Sequence, residues 1–172
     1  MSQPAASPLL PTIAFIGGGN MASAIIGGLI HQGHPASQIE VVEPWAEARE
    51  ALRKNYGIEA QAEAGPALQR AQIVVWAVKP QTFKDAAAQA KAHTQGALHL
   101  SVAAGIRSDS IAQWLGTERI VRTMPNTPAL VGKGMSALYA RPAVSAPERQ
   151  SIEAIMATTG EFLWVDSEPQ LD

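Results

Sequence analysis

Cysteine is absent from all 172 residues. That gap excludes disulfides, thiol catalysis and thiolate metal sites together, and it suits the cytoplasm. No apolar run approaches the roughly 18 residues that a membrane-spanning helix needs. Neither sign of charge dominates: 13 basic and 15 acidic residues leave a net charge of −2, with no basic patch to hold nucleic acid. Residues 1–11 contain no Lys, no Arg and no long apolar core, so they do not read as a signal peptide. Their Pro, Ala and Ser content reads as a short disordered leader. No Gly-x-Ser-x-Gly elbow is present, and no Gly-Lys-Ser/Thr closes a glycine turn. His31, His34, His93 and His99 lack metal-ligand spacing with acids. No metal is expected, and most of these histidines read as surface residues.

What remains is an ordinary globular balance, 47% hydrophobic and 16% charged, in a chain long enough for one domain with a real core. Apolar β-branched runs alternate with helical patterns. Strands are expected at Thr12–Ile16, Ile39–Glu43, Ile73–Val78, Ala97–Val102, Ile120–Met124, Met135–Tyr139 and Phe162–Val165. Helices are expected at Asn20–His31, Trp45–Asn55, Gln81–His93, Ser108–Leu115 and Pro147–Thr158, with Ser108 as an N-cap and Gly116 past the end. This alternation predicts an α/β fold of the Rossmann type: doubly wound, with a mainly parallel sheet and helices on both faces. The expected organisation is a leader at 1–11, a dinucleotide-binding domain at 12–166 and a polar tail at 167–172.

The strongest motif is Ile13-Ala14-Phe15-Ile16-Gly17-Gly18-Gly19-Asn20-Met21-Ala22. An apolar strand meets a glycine turn and a helix follows at once, which is the geometry a dinucleotide pyrophosphate requires. Gly17 permits the tight turn, Gly19 lets the backbone approach the phosphates, and Ala22 lets the helix pack near the strand. The helix N-terminus offers free N–H groups to the anion.

Ligands of an open α/β sheet bind beyond the carboxyl ends of its strands, so the residues after each strand matter most. Glu43 follows the second strand. It reads either as the acceptor for ribose hydroxyls, favouring NAD, or as a cap of the next helix. Arg49 either offsets that charge or faces solvent. Lys79, in Ala77-Val78-Lys79-Pro80, reads equally as a solvated charge or as a cofactor contact. Ser101-Val102-Ala103-Ala104-Gly105-Ile106 offers small side chains to a flat ring, or merely a tight turn. Met124-Pro125-Asn126-Thr127-Pro128 is stiffened by two prolines and suits substrate or nicotinamide positioning, or a structural corner. Trp45, Trp76, Trp114 and Trp164 read as core or edge packing.

Taken together, the four segments at 15–22, 77–81, 101–106 and 122–128 resemble the pyrroline-5-carboxylate reductase family, in that family's order and spacing. The Met-Pro-Asn-Thr-Pro element is the most specific, and the resemblance runs from about residue 12 onward. It implies NADPH- or NADH-dependent reduction of 1-pyrroline-5-carboxylate to L-proline, the last step of proline biosynthesis, by a cytoplasmic homo-oligomer. It implies that Ile16, Gly17, Gly18, Gly19, Asn20, Met21, Ala77, Val78, Lys79, Pro80, Val102, Ala103 and Ala104 line the dinucleotide. Met124, Pro125, Asn126 and Thr127 would lie near nicotinamide and substrate. Two departures stand out. Ala64 replaces an asparagine that some members place against the cofactor. The helical C-terminal dimerisation domain of the family does not follow within these residues, so the chain is expected to bind dinucleotide and to be inactive alone. Alternative readings are a non-catalytic dinucleotide-binding module, a coenzyme-F420-dependent NADP reductase, or a related imine or β-hydroxyacid reductase.

Overall fold

Alternation of side chains across two buried faces organises the molecule, as a computed structural model describing residues 11–125 and 134–171 shows. Strand β1 (Ile13–Ile16) is buried at every position. Ile13 and Phe15 enter one core, while Ala14 and Ile16 enter a second core on the opposite face. Strand β3 (Ile73–Trp76) divides in the same way, Ile73 and Val75 against Val74 and Trp76. A strand that is apolar on both faces must be covered on both. Helices α1 (Asn20–His31), α2 (Ala46–Tyr56) and α5 (Ala146–Met156) contribute Ile25, Leu52 and Ile152 to the first core. Helices α3 (Pro80–Ala90) and α4 (Ser108–Leu115) contribute Phe83 and Ile111 to the second.

The remaining strands are β2 (Ile39–Val42), β4 (Leu98–Ser101), β5 (Ile120–Pro125), β6 (Gly134–Ala140) and β7 (Gly160–Trp164). All seven form one sheet in the order β2-β1-β3-β4-β5-β6-β7. Every pairing is parallel except that of β5 with β6. The doubly wound, mainly parallel expectation therefore holds. The chain leaves β1 for one neighbour and returns for the other, so the β1/β3 boundary is the switch point at which such sheets bind ligands.

Several local expectations are corrected. The third strand ends at Trp76 rather than Val78, because Ala77 and Val78 turn out of the sheet to wall a cavity. The third helix begins at Pro80 and tightens into a 3₁₀ turn at Lys91–His93. His34 and His99 are buried rather than on the surface. Ser108 is not an N-cap but the first residue of α4, which Arg107 precedes. Its N–H and hydroxyl both donate to the Glu168 carboxylate, the hydroxyl at 2.7 Å. The Arg122 guanidinium donates to the same carboxylate at 2.8 Å and is only 1% exposed. The stretch 168–171, expected as part of a polar tail, is thus a 3₁₀ turn fastened to the sheet, with Leu171 buried as well.

Burial works to raise the Glu168 pKa, but the two Ser108 donors and the Arg122 charge outweigh it and hold the group below the usual glutamate value. An unfolded chain therefore takes up this proton first, and the stabilisation fades as pH falls through about 4.3 and below. Glu168→Gln is expected to cost about 3 kcal/mol in urea unfolding at neutral pH, because a buried arginine loses this anionic partner.

The Trp76 indole N–H donates to His99 Nδ1 at 2.9 Å inside the second core. Burial chiefly, and the Arg119 charge with it, push the His99 pKa down to about 4, against an opposing contact from the Thr94 backbone. The unfolded chain protonates this group near pH 6.5, so stability present above that value is lost on descent toward pH 4. His34, also lowered by burial, adds to the same slope. Wild-type protein is expected to lose roughly 2 kcal/mol through His99 between about pH 7.5 and about pH 5, and His99→Gln to flatten that slope.

Candidate functional site

Gly17 leaves β1 with φ +101°, a conformation that side chains rarely adopt. Its N–H donates to Val42 O at 2.8 Å, and the Ala77 N–H donates to Ile16 O at 2.9 Å. The ends of β1, β2 and β3 are thereby drawn together. A Cβ on Gly17 would lie 2.4 Å from Ala77 O. Gly19 has open space instead, with nothing within 4 Å of its would-be Cβ. It precedes α1, and no side chain caps that helix. The first turn carries no acid, so its free N–H groups and the positive end of the dipole are available to an anion.

A cavity of about 540 Å³ opens at this point. Of the residues expected to hold a dinucleotide, Ile16, Gly17, Gly19, Glu43, Ala77, Val78 and Lys79 line it. Gly18 stands behind it and donates its N–H to Glu43 Oε1 at 2.7 Å. Asn20 opens α1, exposed, and Met21 packs against the first core. Pro80 opens α3. Val102, Ala103 and Ala104 follow β4 beside these loops but are not among the residues lining the cavity. Val102 N–H bonds Trp76 O at 3.1 Å. Met124 is half-buried near the end of β5, and Pro125 is the last residue of that strand. Asn126 and Thr127 lie outside the described residues.

The structure also corrects the reading around β2. Glu43 bonds the glycine turn and the Trp45 N–H (2.9 Å, through Oε2), so it braces the turn before α2 as well as facing the cavity. Arg49 is not simply solvated. Its Nη1 donates to the carbonyls of Glu43 and Pro44 at 2.9 and 2.7 Å. Trp45 is not packing material, since it is 63% exposed and lines the cavity. Thr82, Asp85, Ala86 and Gln89 form the α3 wall, which sequence reasoning missed. Their spacing marks one helical face, which adjoins the face of Phe83, Ala87 and Ala90 in the core. Ala64 also lines the cavity, where the family resemblance called for asparagine. Among the described residues there is no cluster of acids and histidines able to hold a metal ion, and no helix is long and apolar enough to cross a membrane.

Comparison with known proteins places this geometry. The sequence model of the family described as NADP oxidoreductase coenzyme F420-dependent matches residues 12–105. A pyrroline-5-carboxylate reductase of Pseudomonas aeruginosa is 44% identical over 164 residues, 94% of this chain and 60% of that protein. The solved structure of a pyrroline-5-carboxylate reductase from Coxiella burnetii superposes with a TM-score of 0.89 at 34% identity, covering 94% of this chain and 61% of that one. A Plasmodium falciparum pyrroline carboxylate reductase solved with NADP bound has a TM-score of 0.77 at 23% identity, over 91% of this chain and 58% of that one, and shows the shared fold. The chain spans about 60% of the length of these relatives.

The two outer glycines predict unequal effects on folding. Gly17→Ala is expected to destabilise by about 2 kcal/mol or more, through backbone strain and the Ala77 clash. Gly19→Ala is expected to stay within roughly 0.5 kcal/mol of wild type, because its methyl meets nothing. Urea unfolding measures both.

Proposed function

This chain belongs to the family described as NADP oxidoreductase coenzyme F420-dependent, and from that premise we propose that it is part of a pyrroline-5-carboxylate reductase and that the whole protein reduces 1-pyrroline-5-carboxylate to L-proline with NADPH or NADH. The observation that carries the reading is the cradle at residue 17. A side chain is excluded there, while residue 19 opens onto a cavity at the switch point of the sheet. These residues fit a pyrophosphate: Gly17 and Gly19 leave room for it, and the first turn of α1 offers N–H donors. Glu43 faces the ribose side. Lys79 lines the cavity beyond β3, and the dinucleotide-binding unit, expected at 12–166, runs on through the 3₁₀ turn at 168–171.

When bound, the cofactor supplies a hydride from nicotinamide C4 to the imine carbon, and the protonated ring nitrogen takes up the electron pair of the C=N bond to become the amine. The protein orients the two rings and shields them from water, which accounts for much of the rate. Met124 and Pro125, at the carboxyl end of β5, lead into the segment that we assign to the nicotinamide and substrate side, with Asn126 and Thr127. The same reading makes the protein a cytoplasmic homo-oligomer acting on a small soluble substrate, without nucleic acid or membrane as partner. The net charge of −2 supports only the exclusion of nucleic acid.

The deciding measurement is consumption of reduced nicotinamide by the whole protein, with 1-pyrroline-5-carboxylate as acceptor. Turnover is expected with this imine and not with β-keto acids. Folded protein that leaves both cofactors unoxidised would sink the proposal. Gly19→Ala, stable as wild type, is expected to bind the cofactor at least about tenfold more weakly, because its methyl occupies the space of the phosphates.

A further inference from the structure

We propose that the turn Glu43-Pro44-Trp45 makes this protein select NADH over NADPH, with Trp45 as the stacking platform for adenine and Glu43 as the group that rejects a 2′-phosphate. The inference rests on the cavity being the dinucleotide site and goes beyond it to which dinucleotide. Among the described residues Trp45 is the most exposed of the large hydrophobic side chains, and it lies against the cavity. An indole held in water has lost the benefit of burial, and a flat base is the partner that restores it. Ala62 and Ala64 wall the same space with methyl groups only. They follow Gln61, whose carbonyl accepts from Glu43 N–H at 2.7 Å and whose own N–H bonds Val41 O, so this wall is carried on the end of β2.

The turn is rigid before any ligand arrives. Glu43 Oε1 holds Gly18, Oε2 holds Trp45, and Arg49 clips the two carbonyls between them. The adenine platform and the ribose acid are therefore one locked unit. Each carboxylate oxygen keeps acceptor capacity for a ribose hydroxyl. A 2′-phosphate would bring about two negative charges to the same spot. Among the described lining residues, two carboxylates (Glu43 and Asp85) face one ammonium (Lys79). Arg49, the cation nearest the turn, is held against backbone carbonyls and is not among the lining residues. At Ala64 no side-chain amide is present to donate to a phosphate.

Calorimetric titration with NADH, NADPH, ADP-ribose and 2′-phospho-ADP-ribose tests this. NADH is expected to bind at least about tenfold more tightly than NADPH, and ADP-ribose to exceed its 2′-phosphate by a similar factor. Trp45→Ala, at an exposed position, should weaken NADH and ADP-ribose by about tenfold and leave that ratio intact. Glu43→Gln should narrow the ratio by removing the negative charge. NADPH binding as tightly as NADH overturns the selectivity. An unchanged ratio in Glu43→Gln overturns the part given to that residue, and unchanged ADP-ribose affinity in Trp45→Ala overturns the platform. ADP-ribose carries no nicotinamide and the titration contains no imine. A protein that reduces 1-pyrroline-5-carboxylate yet binds both dinucleotides alike therefore fails here and not in the turnover test.

Discussion

Residue 17 and the Ala77 carbonyl approach so closely that no side chain can come between them. Much of the site follows from that contact. Three strand ends converge on the glycine turn: β1 carries it, β2 accepts its N–H, and the residue after β3 presses a carbonyl against it. The gap between strands is closed at the level of the sheet and opens just above it. A phosphate arriving there meets backbone on every near side, with helix α1 pointing its donors inward. Both faces of β1 are apolar because helices cover both, which leaves its carboxyl end as the place where it can meet a ligand.

A second layer of order sits around Glu43. Its carboxylate, the Arg49 guanidinium and the Gln61 backbone make a small closed set of hydrogen bonds at the edge of the sheet. Such a set costs conformational freedom at folding rather than at binding, which is how a loop becomes a preorganised receptor. The cavity is thus built from two rigid corners, the glycine turn and the acidic turn, with one face of α3 beside them.

Much of this was legible in the residues, and what was not has identifiable causes. Helix α1 runs from Asn20 to His31 as its periodicity demands, and α4 stops at Leu115 because Gly116 takes the left-handed conformation at φ +71°. The glycine turn, Glu43, Ala77, Val78 and Lys79 could be placed at one site because strand ends in parallel sheets share a side. Ala77 and Val78 were mistaken for strand since apolar residues serve a buried strand and a cavity wall equally well. Trp45 misled for a related reason: hydrophobicity implies burial only until a ligand is considered. Ser108 was read as a cap because local rules see only nearby partners, whereas its carboxylate acceptor lies 60 residues away. The α3 wall escaped because polar residues on a helix read as a solvated face, and only their common side toward the cavity is informative.

The anchoring of Glu168 has a consequence for where this fold can be cut. By secondary structure the sheet is complete at Trp164, and a boundary drawn there would look natural. Yet such a cut would pass between an arginine in the interior and the acid that answers its charge, and would uncover the first turn of α4 and the seat of Leu171. Measured by electrostatics rather than by ribbons, the unit does not close before residue 171. Its last few residues act as a keystone set after the arch, small in mass and fitted from outside, and β5 and α4 both lean on them.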